Sequence, residues 1–131
     1  TLWESGMLSY DMSQYEIART YFQWLCDHCR YDNAAADNSA SHLAYGALVS
    51  GLAVCDGYTG AYNLLLKLEG IECTSLFNDS HIWTLATLDG TQYHIDVTWG
   101  DQYGRTDLRY FGMNEEQSYQ CHPWSTADKK K

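Results

Sequence analysis

Residues 81–99 read HIWTLATLDGTQYHIDVTW, and this stretch decides the predicted fold. Its centre, Asp89-Gly90, separates two runs rich in β-branched and aromatic residues. An Asp-Gly pair in that position is a strong signal for a hairpin with a two-residue turn. Leu88 then lies opposite Thr91, and the register of the two strands is fixed in both directions from the turn.

The predicted register separates two faces of the hairpin. His81 is expected opposite Thr98 and Trp83 opposite Asp96, which makes His81 and Asp96 diagonal neighbours at ~7–8 Å on one face. That face also carries His94 and is too polar for a plain core. The reverse face is apolar, so we expect a helix to cover it; its residues are Ile82, Ala86, Leu88, Tyr93, Ile95 and Val97. An odd-numbered turn would separate His81 from Asp96.

Two helices are predicted upstream of the hairpin. Ser13-Gln14-Tyr15-Glu16 has the spacing of a capping box, and an apolar stripe with three- and four-residue steps continues to about Tyr31. A second helix begins at or near Cys55 and ends before Gly70; its stripe comprises Tyr58, Ala61, Tyr62, Leu65 and Leu68.

The remaining segments complete an α+β pattern. We predict a loop over residues 32–41, a short strand over 71–77 and a turn at Asn78-Asp79. From Gly100 onward the chain is polar and turn-rich, and we predict at most one short strand there. A chain of 131 residues fits a single domain, 1–131, which could belong to a longer parent chain.

Charge and hydropathy exclude several classes of partner. The net charge is -9, from 17 acidic and 8 basic residues, and such a field repels phosphate backbones and anionic membrane surfaces. The longest weakly polar stretch, residues 43–54, is too short for the ~20 apolar residues of a membrane-spanning helix. We therefore predict neither a nucleic-acid partner nor membrane insertion.

The five cysteines direct attention to Cys55, because an odd number leaves at least one thiol unpaired. A cysteine at a helix N-terminus meets the positive end of the helix dipole, which favours the nucleophilic thiolate. A neighbouring imidazole can pair with that thiolate and later protonate a leaving amine, and a carboxylate can orient the imidazole. Cys55, His81 and Asp96 supply these three groups.

Other readings of the cysteines and histidines remain open. Cys26 and Cys29 form a C-x-x-C motif, but both lie on an apolar helix stripe, which favours core thiols over a zinc or redox site. A metal site at His81, His94 and Asp96 is less favoured because no local ligand spacing supports it. Cys73 and Cys121 could form a disulfide in an oxidising compartment. We predict no metal and no cofactor.

Three motifs resemble those of the transglutaminase-like superfamily. They are Val54-Cys55-Asp56-Gly57-Tyr58-Thr59, His81-Ile82-Trp83-Thr84 and Asp96-Val97-Thr98-Trp99, in the order and at the spacing typical of the family. The likeness extends from the Tyr31-Asp32 pair to Tyr110-Phe111. It implies a papain-like α+β fold in which the nucleophilic cysteine begins a helix packed on an antiparallel sheet that carries the histidine and the aspartate.

The resemblance also implies roles for individual residues. Cys55 is the expected nucleophile, His81 the acid and base, and Asp96 the orienting carboxylate. The backbone amide of Cys55, with the Tyr45 hydroxyl as a candidate second donor, would form the oxyanion hole. Trp83 and Trp99 neighbour the polar face of the hairpin and are predicted to form walls of the site. In the second motif, Thr84 replaces the usual asparagine.

These residues predict an enzyme that attacks a protein or peptide amide and forms a thioester. Water as the acceptor gives a cysteine peptidase or amidase, and we favour this outcome because a small domain shows no device for excluding water. A lysine amine as the acceptor would give a crosslinking transglutaminase. A non-catalytic binding domain that retains the fold is the third alternative. The resemblance favours an extracellular or cell-surface location.

Overall fold

The predicted hairpin is present in the structure, a computed structural model that describes residues 6, 8–9, 11–31, 48, 52–78, 81–102 and 105–121. Strands β4 (Ile82–Leu88) and β5 (Thr91–Ile95) pair antiparallel, with Leu88 opposite Thr91. Asp89 and Gly90 have φ values of 52° and 86°, the left-handed conformations that a two-residue hairpin turn requires. The predicted turn and register are therefore confirmed.

The hairpin ladder ends earlier than the sequence predicted. Its last pair is Thr84 with Ile95, so the expected strand pairs of His81 with Thr98 and of Trp83 with Asp96 are wrong. The chain leaves the sheet at Asp96 because this residue caps a single helical turn, α3 (Val97–Gly100). The Asp96 backbone N–H donates to the Tyr110 carbonyl at 2.8 Å instead of to a strand.

The reverse face of the hairpin is covered by a helix, as predicted. Strand β3 (Cys73–Phe77) adds to β4 in the sheet order β3-β4-β5, and α2 (Cys55–Leu68) contacts both β3 and β4. Polar bonds fix this packing: the Thr84 hydroxyl donates to Asn63 Oδ1 at 2.6 Å, and Asn63 Nδ2 donates to the Ser75 hydroxyl at 3.0 Å. Gly70 follows α2 with a φ of 74°, as expected for a residue that ends a helix.

Helix α1 (Gln14–His28) begins at the predicted capping box, in which Ser13 and Glu16 satisfy each other's backbone N–H groups. The carboxylate of Asp89 also accepts hydrogen bonds from the backbone N–H groups of Gln14 and Tyr15, each at 3.1 Å. The hairpin turn therefore adds a second cap to α1. The helix ends at His28 rather than near Tyr31, because Cys29 is already extended, with φ -131° and ψ 149°.

The core lies between the two long helices and the sheet. Its buried residues include Ala18, Phe22, Leu25, Tyr58, Ala61, Tyr62, Leu66, Ala86, Leu88, Ile95 and Val97. We predicted that Leu68 lies on the buried stripe of α2, but this side chain is 71% exposed. Leu66, two residues earlier on the helix, is buried instead. The α+β class is confirmed, with the helices on the predicted side of the antiparallel sheet.

The region around the core contains elements that the sequence did not predict. A two-residue strand β1 (Arg30–Tyr31) pairs parallel with β2 (Leu52–Ala53), and β6 (Asp101–Gln102) pairs antiparallel with β7 (Arg105–Thr106). A 3₁₀ turn, Leu108–Tyr110, and helix α4 (Glu115–Cys121) follow. The predicted loop over residues 32–41 lies outside the described residues. Within those residues, no helix is long and apolar enough to cross a membrane.

Helix α4 had a signal in the sequence. Asn114 Oδ1 accepts from the Gln117 N–H at 2.8 Å, and Gln117 Oε1 accepts from the Asn114 N–H at 2.9 Å. This reciprocal pair is a capping box formed by two amide side chains at Asn-x-x-Gln spacing. The same spacing test that located α1 would have located α4.

Candidate active site

Cys55 is the first residue of α2, where the sequence predicted it. The preceding residue, Val54, is the N-cap and is extended, with no side-chain hydrogen bond to the first turn. Val54 therefore supplies no side-chain acceptor to the amides of that turn, and the helix dipole adds positive potential at the same point. Both features favour negative charge beside the Cys55 thiol, which is partly exposed.

A side-chain bond fixes the backbone of His81 just before β4. The His81 N–H donates to Asn78 Oδ1 at 2.8 Å, and the Asn78 N–H donates to the His81 carbonyl at 2.9 Å. These two bonds join the end of β3 to the start of β4 and set the point from which the His81 ring extends. The sequence indicated the turn but not that Asn78 holds His81 directly.

Asp96 contacts the imidazole of His81, as the sequence predicted. His81 Nε2 lies 2.7 Å from Asp96 Oδ2, and the Asp96 carboxylate is almost entirely buried. Its other oxygen, Oδ1, accepts the Trp99 backbone N–H at 3.0 Å. The two side chains meet although Asp96 has left the strand, because capping α3 turns the carboxylate back toward the sheet.

The thiol of Cys55 is the second hydrogen-bonding partner of His81. Since Nε2 is occupied by Asp96, Nδ1 is the ring nitrogen available to the thiol. Burial disfavours the imidazolium, but the hydrogen bonds and charges of Asp96 and Cys55 outweigh burial and raise the pKa of His81 to about 9. His81 is therefore protonated at neutral pH and placed between two groups that can carry negative charge.

Two tryptophans flank the His81 ring at different depths. The Trp99 indole is stacked on the ring, with centroids 4.3 Å apart and an interplanar angle of 8°. Trp83 lies at 6.3 Å, is 1% exposed, and donates its indole N–H to His94 Nδ1 at 3.1 Å. Trp99 thus covers one face of the ring directly, whereas Trp83 supports the site from the interior.

The other described cysteines lie in settings that suppress reactivity. Cys29 is 2% exposed, and Cys26 packs against the core, as the core-thiol interpretation predicted. Burial raises the pKa of Cys26 to about 12, with further increases from the charges of Asp101 and Asp27. Burial also raises the pKa of Cys73, whose Sγ lies 3.6 Å from the Asn63 carbonyl. Cys73 is a free thiol in the structure, so the Cys73–Cys121 disulfide considered from the sequence is not formed.

The described part of the chain contains no group of three or more His, Cys, Asp or Glu side chains arranged to hold a metal ion. His94 Nδ1 accepts the Trp83 indole N–H, which engages one nitrogen of the conceivable ligand set. Tyr45, the candidate oxyanion donor, lies outside the described residues.

The family model described as the Transglutaminase-like superfamily matches residues 3–97, a range that contains Cys55, His81 and Asp96. The chain belongs to the transglutaminase-like superfamily. Membership in this superfamily supports, in general terms, a thiol acyl-transfer or peptidase type of activity.

Relatives and solved structures agree with this assignment. Human kyphoscoliosis peptidase is 26% identical over 114 residues, covering 73% of this chain and 17% of the relative. Mouse kyphoscoliosis peptidase is 25% identical over 138 residues, covering 91% of this chain and 21% of the relative. The chain therefore spans about a fifth of the length of these relatives. A solved structure titled "Crystal structure of a TGase" matches with a TM-score of 0.62 and 17% identity, over 98% of this chain and 36% of that chain, and shows the shared fold.

Proposed function

We propose that the protein catalyses thiol-dependent acyl transfer on protein or peptide amides, with Cys55 as nucleophile, His81 as acid and base, and Asp96 as the orienting carboxylate. One observation carries the proposal: His81 bridges Cys55 and Asp96 in a continuous hydrogen-bonded series. The raised pKa of His81 adds support, because an imidazolium beside the thiol stabilises the thiolate.

The reaction proceeds in two stages. The Cys55 thiolate attacks the carbonyl carbon of the amide, and the C–N bond breaks as His81 gives its Nδ1 proton to the leaving amine. The product is a thioester on Cys55. An acceptor then loses a proton to His81, attacks the thioester carbonyl and releases the Cys55 thiolate, which restores the starting pair.

The oxyanion of each tetrahedral intermediate needs donors on the side facing the first turn of α2. The Cys55 backbone N–H is our first candidate, because it lies at the N-terminus of α2, beside the nucleophilic sulfur and at the positive end of the helix dipole. The Tyr45 hydroxyl is the proposed second donor. Asp96 holds the ring of His81 through Nε2 and stabilises its charge, so that Nδ1 stays directed to sulfur.

Water is the proposed acceptor, which makes the enzyme a cysteine peptidase or amidase. The relatives at 25–26% identity are named as a peptidase, and this favours hydrolysis over amine transfer. Substrate cleavage should be measured with glutaminyl and peptide amides, with and without a fluorescent primary amine. Incorporation of the amine at the expense of hydrolysis would assign the chain to crosslinking.

Alkylation of Cys55 tests the nucleophile itself. Iodoacetamide labelling should be followed by peptide mass spectrometry from pH ~5 to ~10, because an ordinary thiol is mostly protonated below pH ~8.5. We expect Cys55 to react at pH ~6–7 and His81→Ala to abolish that low-pH reactivity. Cys73 in the same sample is the internal control, since burial raises its pKa. A Cys55 profile that matches an ordinary thiol and ignores His81→Ala would favour a non-catalytic binding domain.

A further inference from the structure

A buried tyrosine lies one helical turn beyond the nucleophile, outside the triad. Tyr58 is 0% exposed, and its hydroxyl donates to Asp101 Oδ2 at 2.5 Å. A second hydrogen bond connects the Tyr58 hydroxyl with Cys29 at the end of α1. The hydroxyl is therefore held on two sides, and a rotation or shift of α2 would break one or both contacts.

The partner of Tyr58 belongs to the element that orients the imidazole. Asp101 is the C-cap of α3, and Asp96 is the N-cap of the same single turn. The Gly100 N–H donates to the Asp96 carbonyl at 3.0 Å, so the two ends of this turn are joined by one backbone hydrogen bond. The Tyr58–Asp101 bond thus connects the helix that begins with Cys55 to the turn that begins with Asp96.

The setting of Asp101 is costly for a carboxylate. Burial raises the pKa of Asp101, the hydrogen bond from Tyr58 partly lowers it, and the negative charge of Asp27 raises it again. A group that is partly desolvated and faces a like charge is a poor choice for stability alone. Geometry explains the pair better, because the Asp101 carboxylate accepts a short, directional hydrogen bond from Tyr58.

We propose that Tyr58 and Asp101 are a positioning pair that sets the distance between the Cys55 thiol and the His81–Asp96 pair. The inference rests on the proposed function, since it concerns the same site. Neither residue touches the reacting atoms: Tyr58 acts through α2, and Asp101 acts through α3. Loss of the bond lets α2 move relative to α3, which lengthens the contact between sulfur and imidazole.

The chain supplies a matched control for this test. Tyr62 lies on α2 one turn beyond Tyr58, is 0% exposed, and donates its hydroxyl to the Ala18 carbonyl at 2.7 Å. Tyr62→Phe removes a hydroxyl and a buried hydrogen bond, as Tyr58→Phe does, but its bond connects α2 to α1 and not to α3. The two variants share the loss of a buried tyrosine hydroxyl and differ in the element that loses contact with α2. Tyr58→Phe also removes the contact with Cys29, which the Asp101 variants leave in place.

The experiment compares Tyr58→Phe and Tyr62→Phe in the full chain. Cys55 alkylation is measured as the ratio of its rate at pH ~6.5 to its rate at pH ~10, and the His81 ring is titrated by NMR. We expect Tyr58→Phe to lower the alkylation ratio about tenfold and to lower the pKa of His81. Tyr62→Phe should leave both near the wild-type values. Equal effects of the two variants, or no effect of Tyr58→Phe, overturn the proposal.

Two further variants separate geometry from charge and guard against misfolding. Asp101→Asn keeps an oxygen acceptor for Tyr58 and should retain most of the alkylation ratio, whereas Asp101→Ala should reproduce Tyr58→Phe. If Tyr58→Phe does not fold, Asp101→Ala removes the same hydrogen bond by changing its less buried partner. A loss with Asp101→Asn equal to that with Asp101→Ala would overturn positioning through the hydrogen bond.

The readouts distinguish failure of this pair from failure of the proposed function. Insensitivity of Cys55 to His81→Ala rejects the nucleophile assignment, and the His81 titration then decides the positioning pair without reference to reactivity. The positioning pair alone is rejected under two conditions. The reactivity of Cys55 in the wild type depends on His81, and Tyr58→Phe matches Tyr62→Phe in both readouts.

Discussion

The indole of Trp99 lies almost parallel to the imidazole of His81, at 4.3 Å between ring centroids and 8° between planes. The same tryptophan donates its backbone N–H to Asp96 Oδ1. Its indole also makes a T-shaped contact with the Tyr110 ring, at 5.8 Å between ring centroids, and this contact restrains the indole. One residue therefore restrains both the histidine and the carboxylate that orients it, the first through its side chain and the second through its backbone.

We expect Trp99→Leu to lower the pKa of His81 by about 0.4–0.7 unit. Stacking of a cation on an aromatic face contributes ~0.5–1 kcal/mol at partly exposed sites, and one pKa unit corresponds to ~1.4 kcal/mol. Trp99→Phe retains an aromatic face and should lose less. NMR titration of the His81 ring measures the effect. An unchanged value in Trp99→Leu would mean that the stack only covers the ring.

The partners of His81 should affect its titration to different degrees. The pKa of about 9 reflects hydrogen bonds and charges from Asp96 and Cys55 acting against burial, with Asp96 giving the larger hydrogen-bond contribution. We predict that Asp96→Asn lowers this pKa more than Cys55→Ala does, and that the double variant lowers it further, because burial then acts without these two partners. The reverse order would assign the raised pKa mainly to the thiol.

The same shift predicts how stability depends on pH. The pKa of His81 is higher in the folded protein than its ordinary value of 6.5, so its stabilisation is complete below pH ~6.5 and is lost as pH rises through about 9. The shift corresponds to about 3 kcal/mol at most. Urea unfolding of the wild type and of His81→Gln should show a stability gap that narrows between pH ~6.5 and ~10. A constant gap would contradict the raised pKa.

The hairpin was predictable because its information is local. Asp89-Gly90 specifies the turn, and the period-two pattern around it determines which residues share a face. That pattern could not show where β5 ends, because the end depends on Asp96 capping α3 and on Tyr110, which approaches from a distant segment. The contact between His81 and Asp96 was therefore predicted correctly through a strand pairing that is not formed.

The contacts that assemble the site across elements were beyond the reach of sequence patterns. The Tyr58 stripe position indicated burial, which is correct, but nothing local pairs its hydroxyl with Asp101 across 43 positions. The meeting of Cys55 with His81 likewise depends on how α2 packs on the sheet, and the sequence supports it only through helix-terminus chemistry and the family resemblance. Asn78 shows the opposite case, since its bond to His81 is local and the turn signal was present.

The departure at Thr84 has a structural consequence that can be measured. Thr84 is 0% exposed and donates to Asn63 Oδ1, so this position of the second motif serves helix packing on the sheet. Thr84→Val keeps the shape but leaves the Asn63 oxygen without this donor, which should cost about 1–3 kcal/mol in unfolding free energy. Thr91→Val, at an exposed position of the same hairpin, is the control and should change stability little. Equal effects would show that the buried bond contributes nothing.

Gly100 packs closely against Phe22, and we expect this contact to affect both the stability of the fold and the candidate site. A Cβ added at Gly100 would lie 2.1 Å from Phe22 Cζ, far inside van der Waals contact, and Phe22 is itself buried in the core. We therefore expect Gly100→Ala to destabilise the protein by ~1–3 kcal/mol, as overpacking does elsewhere. Thermal or urea unfolding measures this cost.

A second substitution shows whether the cost comes from this contact. Phe22→Leu shortens the opposing side chain, so the double variant Phe22→Leu with Gly100→Ala should be more stable than the sum of the two single effects predicts. Because Gly100 lies in the turn that Asp96 caps, Gly100→Ala should also loosen the Asp96 contact and lower the pKa of His81, and Phe22→Leu should restore part of it. Additive effects on the unfolding free energy would mean that the destabilisation does not come from the contact between Gly100 and Phe22. A His81 pKa that Phe22→Leu restores would show that the packing of α3 affects the charge of the histidine.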